Sequence, residues 1–277
     1  MKIGFLGFGE VASTLAAGLL SNGANVFTCV EGRSFRTKEL VKETEINLCK
    51  SNRELAESCD ILISAVTPSQ AVEVAKSVGK YFKGIYIDMN NISPSTAEKA
   101  LSYIENRKTA DASIIGSVRK KGVDAHILVS GPYAEQFAEL NRYGMNISVI
   151  GAEIGQASAI KLFRSSFTKG ISALLFETLY SAYKMGIEEE TLKYIAETEG
   201  ESFRESAVSR IISSAVHSKR RAEEMEEVIG LISKSSDAKM SKATCEFFKQ
   251  LYNEVDGIYK RPEDYKEIFK IMDKNKN

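Results

Sequence analysis

The chain has 277 residues, more than one compact domain usually holds, so two domains are expected. Its 37 basic residues balance 37 acidic ones, which argues against a nucleic-acid or membrane-surface partner. Two histidines exclude a histidine-rich metal site, and four scattered cysteines without C-x-x-C spacing point to reduced thiols rather than a disulfide framework.

The first apolar stretch, Ile3 to Leu6, reads as a short buried strand. Glycines and Glu10 interrupt it too early for a signal peptide, and no later apolar run is long enough to cross a bilayer, so a cytoplasmic protein is expected. Gly7, Gly9 and Ala12 then fit the G-x-G-x-x-G/A turn that opens a nucleotide-binding helix. Gly7 allows the tight turn, Gly9 lets backbone approach a pyrophosphate, and Ala12 lets helix and strand pack closely. The helix from Glu10 to Ser21 aims its free N–H groups, beginning with Glu10 and Val11 after Phe8 and Gly9, at the phosphates. A second strand, Ala24 to Val30, ends at Glu31, the distance at which an acidic residue usually meets a ribose. The basic turn Gly32 to Arg36 follows. Arg33, Ser34 and Arg36 offer donors for a ribose 2′-phosphate, which favours NADP over NAD, whereas Glu31 points the other way.

Asn52 to Ser58 read as a short helix, and Asp60 to Val66 as a nearly all-apolar strand of a buried parallel sheet. Thr67 and Pro68 break it at the edge where ligands sit, so Val66, Thr67 and Pro68 are candidate cofactor contacts. Ile85 to Met89 form another strand, leading through Asn90, a further candidate contact, to a helix with Ser93 as N-cap and Pro94 at its first position. Thr109 to Val118 close on a basic loop, Arg119 to Gly122, and strands follow at Ala125 to Val129 and Ile147 to Ile150. Alternating strands and helices predict a doubly wound parallel sheet in residues 1–152. From Glu153 strand signals vanish. One long helix to Met185 and five shorter ones predict an all-helical domain over 153–277.

The glycine turn, Asp88-Met-Asn-Asn-Ile-Ser-Pro94, Asp111 to Ser117, Gly155-Gln-Ala-Ser-Ala-Ile-Lys161 and Lys161-Leu-Phe-Arg-Ser-Ser166 together resemble the β-hydroxyacid dehydrogenase superfamily, in a 6-phosphogluconate-dehydrogenase-like branch of unassigned substrate. The resemblance implies an NADP-dependent oxidoreductase acting on a small anionic hydroxy or oxo acid, and a homodimer formed through helical domains. It makes Lys161 the acid/base and places Ile115, Gly116 and Ser117 at the substrate. A lysine does this work when burial or neighbouring charge brings its pKa to about 7–8, and Arg164, one turn on, is placed to supply such charge.

Two departures from relatives stand out. Ser165 takes the place of an asparagine that holds the reacting oxygen, and Ile115-Gly116-Ser117 replaces a common Ser-Gly-Gly. His217, Lys219, Arg220 and Arg221 cluster at a helix start. With Arg164, His217 and Arg221 are candidates to clamp a substrate anion, against the alternative of a solvated cap paired with Glu223 and Glu224. Two other functions compete: a non-catalytic NADPH-binding regulator, and an imine-reductase-like enzyme, against which Lys161 counts.

Overall fold

The structure, a computed structural model, describes residues 1–200, 202–255 and 261–275. It divides into two compact units, Met1–Lys161 and Leu162–Asn277.

The first unit opens with β1 (Lys2–Leu6), α1 (Glu10–Ser21), β2 (Asn25–Cys29), α2 (Phe35–Lys42), β3 (Asn47–Cys49) and α3 (Asn52–Ser58). It continues through β4 (Ile61–Ser64), α4 (Ala71–Val78), β5 (Ile85–Asp88), α5 (Pro94–Ser102) and β6 (Thr109–Ile115). The one-turn α6 (Val118–Lys121), β7 (His126–Ser130), α7 (Ala134–Ala138) and β8 (Asn146–Gly151) complete it. The eight strands form one sheet in the order β3-β2-β1-β4-β5-β6-β7-β8. Chain order reverses direction between β1 and β4, the switch point of a doubly wound sheet.

Alternation within the strands sorts side chains onto two cores. Ile3, Phe5, Ile61 and Ile63 face one cluster, while Leu6 and Leu62 face the other with Tyr86 and Phe82. Both faces are covered by helices, which is why these strands read as continuous apolar runs.

Three features depart from the sequence expectation. The sheet is parallel only as far as β6, because β7 pairs antiparallel to β6 and β8 then runs parallel to β7. Residues 116–125 connect β6 to β7, fewer than the dozen or more that a parallel crossover needs. The basic stretch expected as a loop folds as α6 followed by a 3-10 turn. The segment after Gly32 is not a plain turn, since Ser34 caps α2 by accepting from the Thr37 N–H, and β3 follows. Only Val41 of α2 and Cys49 of β3 are buried, so neither element carries a periodic apolar signal.

The helix α8 (Gln156–Lys184) begins at the end of the first unit, three residues later than the Glu153 expected, because Gly155 stands at φ +92° outside it. The second unit adds α9 (Glu188–Glu199), α10 (Phe203–Val216), α11 (Ser218–Ile232), α12 (Lys239–Glu254) and α13 (Tyr265–Asn275). Its core gathers Phe176, Phe248 and Phe269 with Leu179, Ile211 and Met225. No described helix is long and apolar enough to cross a membrane.

Candidate functional site

At the switch point, β1 ends in Gly7, whose φ is +85°. A Cβ there would lie 2.6 Å from the Ala65 carbonyl oxygen, so only glycine lets the loop close over β4. Phe8 is buried in the sheet core and offers a ligand only its backbone. Gly9 is the N-cap of α1 without a side-chain bond to the helix, and a Cβ built on it meets nothing within 4 Å. The first N–H groups of α1, at Glu10 and Val11, therefore face open space without a side-chain cap, which is the arrangement that accepts a phosphate.

Past β2, the Arg33 N–H donates to the Val30 carbonyl at 3.1 Å and closes a turn in which Gly32 has φ +67°. Glu31 is exposed at its tip. The Nε of Arg33 is buried and has no partner among the described residues. Ser34 spends its hydroxyl on capping α2, and Arg36 lies exposed on the first turn of that helix.

A buried polar network sets the loop after β4. The Val66 N–H donates to Asn90 Oδ1 at 2.7 Å, and Asn90 Nδ2 donates to Ser64 Oγ at 3.0 Å and Asp88 Oδ2 at 2.9 Å. The Asn90 N–H donates to Asp88 Oδ1. Asn90 is 2% exposed, so its side chain is committed to holding Val66 rather than presented to solvent. Thr67 and Pro68 stay exposed as the start of a 3-10 turn. Burial pushes the Asp88 carboxyl up to about 7, against the pull of its two bonds from Asn90.

Strand β6 explains how α8 is anchored. Thr109, Asp111 and Ser113 share one face of it, Ala110 and Ala112 the other, and all five are buried. On the polar face, Asp111 accepts from the Ser158 N–H at 2.9 Å and the Ser158 hydroxyl at 2.7 Å, while Ser130 Oγ accepts from the Ala157 N–H. Two orphan N–H groups of the first turn of α8 are thus capped by neighbouring strands. Burial raises the Asp111 carboxyl, and its bonds to Ser158 and the charge of half-buried Lys161 oppose that rise. At the far end of β6, Ile115 is half-buried, Gly116 has φ +103° with open space at its Cβ position, and Ser117 is exposed.

The second unit carries Ser165, Arg164, His217 and Arg221. Ser165 accepts a hydrogen bond from the ammonium of Lys169, which also lies 2.7 Å from Glu224 Oε2. Arg164 is exposed, and its carbonyl accepts from the Thr168 hydroxyl at 3.0 Å. Arg221 donates to Ser213 Oγ at 2.9 Å and Ser214 Oγ at 3.1 Å, and its guanidinium lies over Phe248. Burial first, then the charges of Arg220 and Arg221, hold the His217 ring below its ordinary value. Of the two acids expected to pair with this cluster, Glu224 does so, reaching Arg220 at 3.8 Å. Lys169 and Arg210 were missed in the sequence. Lys161, Ser165 and Lys169 recur at i, i+4, i+8, and that spacing is the signal that finds the second lysine. Among the described residues no group of three His, Cys, Asp or Glu side chains is placed to hold a metal.

Comparison with known proteins agrees with this geometry. Residues 2–92 match the family model "NADP oxidoreductase coenzyme F420-dependent", and residues 182–251 match a domain of unknown function, DUF1932. An uncharacterized 28.5 kDa protein in the 7S RNA 5′ region of Methanothermus fervidus is 42% identical over 252 residues, covering 91% of this chain and 99% of that one. The solved structure of the conserved protein MTH1747, of unknown function and described as structurally similar to 3-hydroxyacid dehydrogenases, matches with TM-score 0.83 and 48% identity. It covers 91% of this chain and 96% of its own. The 2-(hydroxymethyl)glutarate dehydrogenase of Eubacterium barkeri is 26% identical over 228 residues, 73% of this chain and 71% of that one.

A doubly wound sheet with an open glycine turn at its switch point, followed by an all-helical unit, defines an NAD(P)-dependent oxidoreductase. The chain belongs to the β-hydroxyacid dehydrogenase-like family, among members whose substrate is unassigned.

Proposed function

We propose that the protein is an NADP(H)-dependent oxidoreductase that interconverts a small anionic hydroxy acid and its oxo partner, with Lys161 as general acid/base. The observation that carries this reading is the presence, within one unit, of the open glycine turn and of Lys161 acting electrostatically on Asp111.

The pyrophosphate is held by backbone N–H groups after Gly9, where absence of a Cβ leaves the space. The buried, partnerless Nε of Arg33 fits a 2′-phosphate, and the exposed tip carrying Glu31 leaves room for the carboxylate to turn aside. Val66, Thr67 and Pro68 line the next loop, set by Asn90. When bound, the dinucleotide supplies or accepts the hydride. Lys161 takes the hydroxyl proton in one direction and returns it in the other, and Asp111 fixes its helix through Ser158. Backbone N–H groups of Gly116 and Ser117 suit a substrate carboxylate, since no side chain at 116 crowds them. The name of the Eubacterium barkeri relative, which denotes a hydroxymethyl dicarboxylate, supports an anionic hydroxy acid.

Oxidation of NADPH in the presence of a panel of 2-oxo and 3-oxo acids tests the reading. One or more acids are expected to turn over, with Lys161→Ala losing about 10²–10⁴-fold in rate while NADPH affinity is kept. Lys161→Arg fails as well, because a guanidinium stays protonated. Near-normal turnover by Lys161→Ala overturns the catalytic assignment. A regulator that binds NADPH without turnover is the second reading. The engagement of the Ser165 hydroxyl by Lys169 favours it, and NADPH binding with no turnover across the panel identifies it.

A further inference from the structure

The second unit holds a cavity of about 240 Å³ of its own. That is many times the roughly 10–15 Å³ a single water needs. Its walls carry Lys169 from α8, Arg210 and Ser213 from α10, and Arg220 and Arg221 from α11. Glu224 is the one carboxylate among the described lining residues. Four cations against one anion leave a net charge of three positive along the cavity lining.

Internal partners account for part of that charge. Lys169, only 7% exposed, is matched by Glu224. Arg220 reaches the same carboxylate only at 3.8 Å. Arg210 makes one bond to the Ser206 hydroxyl at 3.2 Å and a long one to the Thr168 carbonyl, and Arg221 bonds two serine hydroxyls. Each guanidinium has five N–H donors, so most of those on Arg210, Arg220 and Arg221 are left for something else. Burial lowers Lys169 and brings Arg221 down to about 10, and the charge of Glu224 opposes both shifts.

We propose that this cavity is an oxyanion site that binds a phosphoryl group, as inorganic phosphate or as a small phosphomonoester. Donors on three helices line the space, which suits a tetrahedral dianion with three peripheral oxygens better than a planar carboxylate. The volume admits more than the phosphoryl group itself. The proposal does not depend on the oxidoreductase reading, because every residue involved lies within 162–277 and the cofactor turn lies within 1–161.

The test uses the full chain without cofactor, at constant ionic strength set with sodium chloride. Inorganic phosphate, glycerol 3-phosphate and succinate are titrated by calorimetry, with thermal melting alongside. Saturable phosphate binding is expected, with a rise in melting temperature, tenfold or more weaker in Arg210→Gln and measurably weaker in Arg220→Gln. Tighter binding of glycerol 3-phosphate than of phosphate assigns the natural ligand to a phosphomonoester, and the reverse order assigns it to free phosphate. Arg33→Ala leaves this binding unchanged, which separates it from any 2′-phosphate site in the first unit. Should Arg210→Gln fail to fold, Arg220→Gln keeps the experiment decisive, because that side chain is largely exposed. Absence of saturable binding at millimolar phosphate, equal binding in both variants, or succinate binding as well as phosphate overturns the proposal.

Discussion

At the scale of the residue, Arg33 offers a buried guanidinium nitrogen without a described partner, beside the turn that ends β2. A charge-assisted bond from it to a 2′-phosphate is worth about 1.5–3 kcal/mol, or roughly ten- to hundredfold in affinity. Arg33→Ala is therefore expected to weaken NADPH binding by that factor in a fluorescence titration and to leave NADH binding nearly unchanged. Equal wild-type affinity for the two cofactors sinks the idea and leaves Glu31 as a ribose ligand. Individual residues were legible to different degrees. Gly7 and Gly9 could be read because their roles follow from backbone geometry at a fixed spacing. Asn90 was singled out as a contact, yet its amide is used inward on Ser64 and Asp88, a partnership between strands that spacing along one chain does not reveal. Ser165 and Arg164 adjoin Lys161 in sequence, but the hydroxyl of Ser165 turns to Lys169, and that choice depends on where Glu224 of α11 stands.

At the scale of the element, apolar periodicity located β1, α1, α3, β4 and most of the helical half, because each buries a continuous face or stripe. It missed α2 and β3, which bury almost nothing. It also missed the reversal of β7, which is set by a connection too short for a crossover. The polar residues of β5 and β6 carry a different kind of information. Asp88 and Asp111 sit in register on these neighbouring strands, both buried, and each carboxyl is raised chiefly by desolvation.

For Asp88 the consequence for stability has a definite sign. Its carboxyl rises from an ordinary 3.8 to about 7 on folding. Below about pH 4 it is neutral in both states and its contribution is complete. Between 4 and 7 the unfolded chain releases the proton while the folded chain keeps it, so stability falls as pH rises. The full loss is on the order of 4 kcal/mol above pH 7. Asp88→Asn removes this titration and retains one acceptor for the Asn90 N–H. In denaturant unfolding the variant is expected to gain on the wild type steadily from pH 4 to pH 8, and parallel curves refute the assignment.

At the scale of the whole molecule, we propose a homodimer formed through the helical unit. From Ile171 to Tyr183 the chain holds more apolar side chains than one small helical unit readily covers. In the structure, Leu175, Phe176 and Leu179 are consumed by the core around Phe248 and Phe269. The surplus lies one half-turn round α8 and further toward its start. Phe163, Phe167 and Leu174 are 50%, 68% and 66% exposed, with half-buried Ile171 between them. Their positions, i, i+4, i+8 and i+11, form one stripe along the helix. Isolated exposed apolar residues are ordinary, but a row of two phenylalanines and a leucine on one face is what a self-complementary two-fold contact uses. Burying such side chains stabilises a pair by about 25 cal/mol per Å² of apolar surface, before the cost of association. Light scattering is expected to show a dimer at micromolar concentration. Phe167→Glu with Leu174→Glu, which places charges in the stripe and leaves the core untouched, is expected to yield a folded monomer. A wild type that is monomeric throughout that range, or a double variant that stays dimeric, removes α8 from the interface.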